Sequence, residues 1–185
     1  MIYTLIILAV CAVLVISMYN SLVMAKQRTK EAWSTVETQL KRRYDLIPNL
    51  VETVKGYAKH ESKTLEAVVT ARAQAMNAHG ATDKKAESEN MLTSALKSVF
   101  ALSENYPDLK ASTNFLELQQ ELSDTETKIQ AARQFYNTTV LALNTKIQMF
   151  PSNIIAGMFH FTPEKFFELD ESERAAANQA PKVSF

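Results

Sequence analysis

An uncharged apolar run opens the chain and restricts its fold more than any other feature. Residues 1–25 contain no Asp, Glu, Lys or Arg, and Ile, Leu, Val, Ala and Met dominate between Ile2 and Ala25. A helix rises about 1.5 Å per residue, so a run of this length spans a bilayer core that is about 30 Å thick. Tyr19 and Asn20 lie near its downstream end, where an amphipathic ring rests at the membrane interface. We expect a transmembrane anchor over residues 1–25.

Two other interpretations of this run fit less well. A cleaved signal peptide would explain the small residues Val23 and Ala25, but it needs a basic start and a shorter apolar core. Lipidation of Cys11 needs a small residue directly before it, and Val10 stands there. Cys11 is the only cysteine, which excludes an internal disulfide, and we interpret it as a small hydrophobic residue.

The charges next to the run predict its orientation. No Lys or Arg precedes it, whereas Lys26, Arg28 and Lys30 follow it directly. The positive-inside rule then places a short N-terminus outside and the C-terminal domain in the cytoplasm. We expect these three basic residues to set the topology and to contact anionic lipid headgroups.

Helical spacing of apolar residues continues from Trp33 onward and predicts an all-α fold. We expect the anchor to continue into one helix that Pro48 kinks near Tyr44 and that ends near His79-Gly80. A second helix follows a cap at Thr82 or Asp83. A third, over residues 109–150, has the seven-residue period of a seam in a coiled coil or a bundle. The predicted architecture is an N-terminal transmembrane helix that continues into an antiparallel bundle of long helices.

Composition narrows the function classes. The chain of 185 residues has 20 basic and 20 acidic residues, and this neutral balance disfavours nucleic acid as a partner. Only 3 Gly and 5 Pro disfavour turn-rich sandwiches, barrels and Gly-rich nucleotide-binding folds. The predicted organisation is an anchor over 1–25, a helical bundle over 26–150, and an aromatic segment with a loosely ordered tail over 151–185.

A dense basic cluster in the first helix is the first candidate interaction site. Its chemistry suits either a solvated face with an Arg–Asp pair or a contact with an acidic partner or a second copy of the chain. A proline follows, which either shapes the helix or frees carbonyls for a partner. The candidate interaction residues here are Lys41, Arg42, Arg43, Asp45, Pro48 and Asn49.

An aromatic C-terminal segment is the second candidate. It either covers one end of the bundle or docks on a neighbouring subunit or the membrane surface. Five acids and one Lys between Glu164 and Glu173 argue against deep contact with anionic lipid and complement the basic cluster of another copy. The candidate residues are Phe159, Phe161, Phe166 and Phe167.

No catalytic or metal-binding motif is recognisable. His60-Glu61 lacks the second His of a zinc motif, because Thr64 stands at that position. There is no nucleophile elbow, phosphate-binding loop or dinucleotide fingerprint. We therefore predict no enzyme activity, no cofactor and no metal.

A block over residues 32–61 contains LKRR, then DLIPNLV, then VKGY. Shorter motifs follow at residues 106–109, at 133–137 and at 150–153. With these segments the chain resembles the LemA family of bacterial membrane proteins over nearly its whole length after the anchor. The resemblance implies a bacterial inner-membrane protein with an N-terminal transmembrane helix, a helical bundle and no established enzymatic activity.

Two functions are consistent with these features. The first is a membrane-anchored scaffold that forms homo-oligomers and organises or shapes the membrane. The alternative is an adaptor for a membrane protease or another envelope protein, because the resemblance implies proximity to such partners. A scaffold needs many copies of itself, whereas an adaptor needs one different protein.

Overall fold

The computed structural model describes residues 1–167, and this part of the chain is helical with no strand. The helices are α1 (Ile2–Tyr57), α2 (Ser62–Asn77), α3 (Asp83–Ser103), α4 (Pro107–Lys110), α5 (Thr113–Gln148) and α6 (Ser152–Met158). The all-α fold class is confirmed, with a long apolar helix at the N-terminus and helices that pack together after it.

The apolar run forms the first part of α1. By length and composition α1 is the one helix within residues 1–167 that could cross a membrane, and the side chains of its apolar window are exposed. It continues without interruption through Lys26 and Pro48 to Tyr57. The expected continuation of the apolar run into a longer helix is confirmed.

The expected end of this helix near Gly80 is wrong. α1 ends at Tyr57, and a short turn leads into α2 at Ser62. Gly56 weakens the helix close to this point. Tertiary packing then determines where the helix ends and in which direction the chain continues. The turn lets α2 fold onto α3 and bury Leu65 and Val68, which a straight extension would carry away from the core. Gly80 lies in the next loop with φ 69°.

Two smaller expectations have different outcomes. Thr82 is the N-cap of α3, where its Oγ1 accepts a hydrogen bond of 3.2 Å from the Lys85 backbone N–H. The third predicted helix is divided, because α4 ends at Lys110 and α5 begins at Thr113. The buried Leu109 on α4 explains this separate turn, which directs one apolar side chain into the core before α5 starts.

The described chain forms two compact units, each discontinuous in sequence. Unit 1 contains residues 1–37 and 130–166. Its core includes Leu22, Ile155 and Ala156, with Met18, Ile147 and Phe161 packed against them. The rings of Trp33 and Tyr136 meet edge to face with centroids 5.2 Å apart.

Unit 2 contains residues 38–129 together with Phe167. Its core is built from apolar residues at spacings of three and four along α1, α2, α3 and α5, as one face of each helix requires. The buried side chains include Leu40, Ile47, Leu50, Val54, Leu65, Val68, Leu92, Leu96, Val99, Phe115, Leu122 and Ile129. The candidate basic cluster lies in this unit.

Candidate functional site

Arg43 is buried in the core of unit 2 rather than on its surface, with 1% of the residue exposed. Its Nη2 donates to Glu89 on α3, and its Nη1 donates to Glu126 on α5. Nη1 also donates to Thr93 Oγ1 at 3.0 Å. The expected Arg–Asp pair is therefore replaced, for Arg43, by two ion pairs with other helices.

A lysine and a tyrosine extend this network. Lys85 Nζ donates to Tyr44 Oη at 2.9 Å and to the Ala75 carbonyl at 2.7 Å, and it lies 3.1 Å from Glu89 Oε1. The Tyr44 hydroxyl in turn donates to Glu89. Two cations, Arg43 and Lys85, thus balance the carboxylates of Glu89 and Glu126. A buried charge is tolerated only with such pairing, so this cluster joins α1, α3 and α5.

The spacing of buried residues contains a signal for this network. Arg43 occupies the 3–4 register of the buried α1 residues, between Leu40 and Ile47. On α3, Lys85 and Glu89 stand in the same register as Leu92. A charged side chain in a core register indicates a buried pair. Glu126 carries the same signal on α5, because it lies four residues after the buried Leu122 and three before the buried Ile129.

Pro48 removes the backbone donor of one helix carbonyl, and a side chain of the protein donates a hydrogen bond to that carbonyl instead. Proline has no N–H, so the Tyr44 carbonyl four residues earlier loses its usual helical donor. Arg72 on α2 supplies a replacement, since its Nε donates to this oxygen at 2.8 Å. This bond joins α1 to α2 at the proline.

The other candidate residues of this helix lie at the surface. Lys41, Arg42, Asp45, Pro48 and Asn49 are all exposed. Arg43 does not share that surface, because its guanidinium is enclosed by α3 and α5. A solvent-facing basic patch on α1 therefore consists of Lys41 and Arg42 alone, and its interaction role stays a prediction.

A groove of about 570 Å³ lies between α3 and α5, next to the network. Arg43, Thr93 and Glu126 of the network line it, and its other polar lining residues are Lys97, Gln119, Gln120, Ser123 and Thr127. Its apolar lining consists of Leu96, Phe100, Leu116 and Leu122. It thus combines an apolar wall with a charged end within unit 2.

The aromatic segment is divided between the units. Tyr19 on α1 contacts Phe159 and Phe161, with ring centroids 4.7 Å and 6.0 Å apart, respectively. Lys26 Nζ lies 5.9 Å from the centre of the Phe161 ring, within reach of a cation–π contact. Phe166 is partly exposed in unit 1, whereas Phe167 is buried and belongs to unit 2.

Side chains of α5 hold the chain just after Phe161. Asn144 forms two hydrogen bonds of 2.9 Å with the Glu164 backbone, one to its carbonyl and one from its N–H. Tyr136 Oη donates to the Lys165 carbonyl at 2.9 Å. Burial, together with the nearby Glu164 charge, raises the pKa of Tyr136 to about 12. The acidic residues beyond Phe167 lie outside the described residues.

The sequence is similar to known proteins over most of its length. The LemA family model matches residues 32–185. Protein LemA of Metamycoplasma hominis is 27% identical over 155 residues, which is 84% of this chain and 71% of that protein. The matched region includes the buried network, Pro48, Arg72 and the aromatic segment. This chain belongs to the LemA family.

Proposed function

We propose that this protein is a non-catalytic scaffold of the bacterial inner membrane, which self-assembles and organises or shapes the bilayer. The apolar part of α1 anchors it, and the C-terminal domain lies in the cytoplasm. Lys26, Arg28 and Lys30 directly follow the apolar run and support this orientation through the positive-inside rule.

The packing at the end of the anchor carries the proposal. Leu22 is fully buried against Ile155 and Ala156 of α6. Lys146 Nζ of α5 donates to Ser21 Oγ at 2.7 Å. The anchor is therefore followed by a folded contact rather than by a loose linker, so every copy presents unit 1 in one orientation. Regular lateral contacts between copies in a bilayer depend on such a common orientation.

Exposed side chains in each unit support contact between copies. In unit 1, Phe135 and Leu141 of α5 are each 58% exposed. In unit 2, Lys41 and Arg42 present two adjacent positive charges. In a second copy, the acidic residues from Glu164 onward are the proposed partners of Lys41 and Arg42. Residues 168–173 of that segment lie outside the described residues.

The first experiment measures the copy number of the full-length protein. We would extract it in mild detergents, determine the particle mass by light scattering and image the same sample by electron microscopy. A large and uniform homo-oligomer is expected. A monomer or dimer in every detergent would overturn the scaffold and favour the adaptor for a membrane protease or other envelope protein.

Charge reversal tests the proposed contact between copies. Lys41→Glu with Arg42→Glu should dissociate the oligomer, because like charges then face each other. Lys63→Glu with Lys84→Glu is the matched control, since both lysines are exposed in unit 2 and the change in charge is equal. Arg43 is left unchanged because its removal would break the core. Equal dissociation of both variants, or of neither, would exclude the Lys41–Arg42 contact.

Labelling tests the orientation. A Cys11→Ala, Asn105→Cys variant carries one thiol at an exposed position of unit 2. An impermeant thiol reagent should leave this cysteine unlabelled in intact cells and label it after lysis. Labelling in intact cells would place the domain outside and overturn the cytoplasmic assignment.

A further inference from the structure

A second uncharged stretch lies between Ile147 and Pro163. It contains no Asp, Glu, Lys or Arg, and it includes α6. Several of its large apolar side chains point outward, including Phe150, which is 79% exposed, and Met158, which is 63% exposed. Met149, Ile154 and Phe159 are exposed as well. An ordinary water-facing surface has exposed apolar side chains that are isolated from one another, whereas these lie close together.

The inner face of this stretch packs on the end of the anchor. Ile155 and Ala156 contact Leu22, and Met18 packs against the same cluster. The Tyr19 and Phe159 rings lie with centroids 4.7 Å apart. Met18, Tyr19 and Leu22 belong to the last part of the apolar run, which ends at Ala25. The α6 segment therefore lies beside the residues where a membrane-spanning α1 would leave the hydrocarbon core.

Basic side chains lie on the side of the stretch that faces the anchor, and Glu164 follows the stretch. Lys146, which precedes it, reaches Ser21 on α1, and Lys26 lies over the Phe161 ring. Lysines at the border of an apolar region are typical of a segment at the headgroup level. The stretch is too short to cross a bilayer and is interrupted at Pro151. It suits a segment that lies along the surface with its apolar face in the acyl chains.

We propose that the segment over residues 149–159 lies in the membrane interface, where Phe150, Ile154 and Met158 insert into lipid beside the anchor. The protein then contacts the bilayer twice, through the spanning part of α1 and through the outer face of α6. This inference rests on the membrane insertion of α1 in the proposed function. It is independent of self-assembly.

Quenching of tryptophan fluorescence by brominated lipids tests the segment in the full-length protein. Trp33 is the only tryptophan, so Trp33→Phe gives a silent background. On this background Phe150→Trp and Met158→Trp should each lose most of their fluorescence in nanodiscs with acyl-brominated phospholipid. Phe135→Trp is the matched control, because Phe135 is also exposed but lies about 20 Å from residue 148 along α5. It should keep its fluorescence.

Two further measurements separate the outcomes. Val13→Trp reports on the anchor: if it is quenched while positions 150 and 158 are not, the interfacial segment is wrong and the anchor stands. If position 13 is also unquenched, both proposals fail. Discs with one copy are compared with discs that hold oligomers. Quenching at 150 and 158 that disappears in oligomers would identify a second copy as the occupant and overturn the lipid contact.

Discussion

Glu89 should be far more important for stability than its neighbours on the surface. Its side chain is 3% exposed and forms ion pairs with Arg43 and Lys85, whose side chains are 2% and 7% exposed. Glu89→Gln keeps the shape but leaves two buried cations with only Glu126, which is 31% exposed. Breaking a buried pair in this way costs about 3–5 kcal/mol, out of a total stability of about 5–15 kcal/mol.

Urea unfolding of the full-length protein in mild detergent, followed by far-ultraviolet circular dichroism, measures this cost. The control is Glu104→Gln, because Glu104 pairs with Lys110 at 2.5 Å but both side chains are more than half exposed. That variant should lose less than about 1 kcal/mol. The two variants remove the same charge, but Glu89 is buried and also binds Tyr44 and Lys85, so the difference measures burial together with the loss of the network.

Charge balance gives a second test of the same reasoning. Lys85→Met combined with Glu89→Gln removes one charge of each sign and leaves Arg43 with Glu126. The double variant should be more stable than the sum of the two single losses predicts, by more than about 1 kcal/mol. If Glu89→Gln costs no more than Glu104→Gln, or if the double variant is additive, buried charge does not control the stability of unit 2.

Three smaller predictions follow from single contacts. Arg72→Met should destabilise the fold by about 1–3 kcal/mol because it leaves the Tyr44 carbonyl without its donor, and adding Pro48→Ala, which restores a backbone N–H, should recover much of this loss in urea unfolding. The raised pKa of Tyr136, about 12 against the ordinary 10.0, means that the folded state holds this proton more tightly; its contribution to stability is complete below pH 10.0 and is lost as the pH rises toward 12. The late part of the tyrosinate absorbance change should therefore be smaller by one tyrosine in Tyr136→Phe than in the native protein, and an unchanged titration would refute the assignment. Thr82→Ala should cost about 1 kcal/mol through the lost cap, whereas Thr82→Ser should be nearly neutral in the same unfolding assay.

The helical class and the apolar N-terminal helix follow from periodicity and charge, because these depend on neighbours along the chain. The apolar run before Lys26 and the Thr82 cap are local signals of this kind. The turn after Tyr57 is different, because Gly56 alone does not stop a helix. The turn forms because α2 buries apolar side chains when it packs against α3. A single sequence does not show which helices pack together.

In the candidate site as well, some features follow from local sequence and others depend on tertiary packing. Arg43 belongs to a surface cluster when LKRR is read as a motif, yet its position between Leu40 and Ile47 marks it as buried. The register therefore predicts its burial, whereas the choice of Glu89 and Glu126 as partners depends on how α3 and α5 pack. Arg72 as the donor to the Tyr44 carbonyl is equally non-local.

The discontinuity of unit 1 has a consequence for biosynthesis. Its first part ends at Glu37, and its second part begins only at Gln130. Since a chain is made from its N-terminus, the apolar part of α1 leaves the ribosome about a hundred residues before the helices that pack on its end. If the apolar part of α1 inserts as it leaves the ribosome, it does so while Leu22 and Ser21 have no partners, and α5 and α6 then dock on a helix that is already in the bilayer. For the proposed membrane-anchored protein, the fold of unit 1 is then completed at the bilayer surface, after insertion of the anchor.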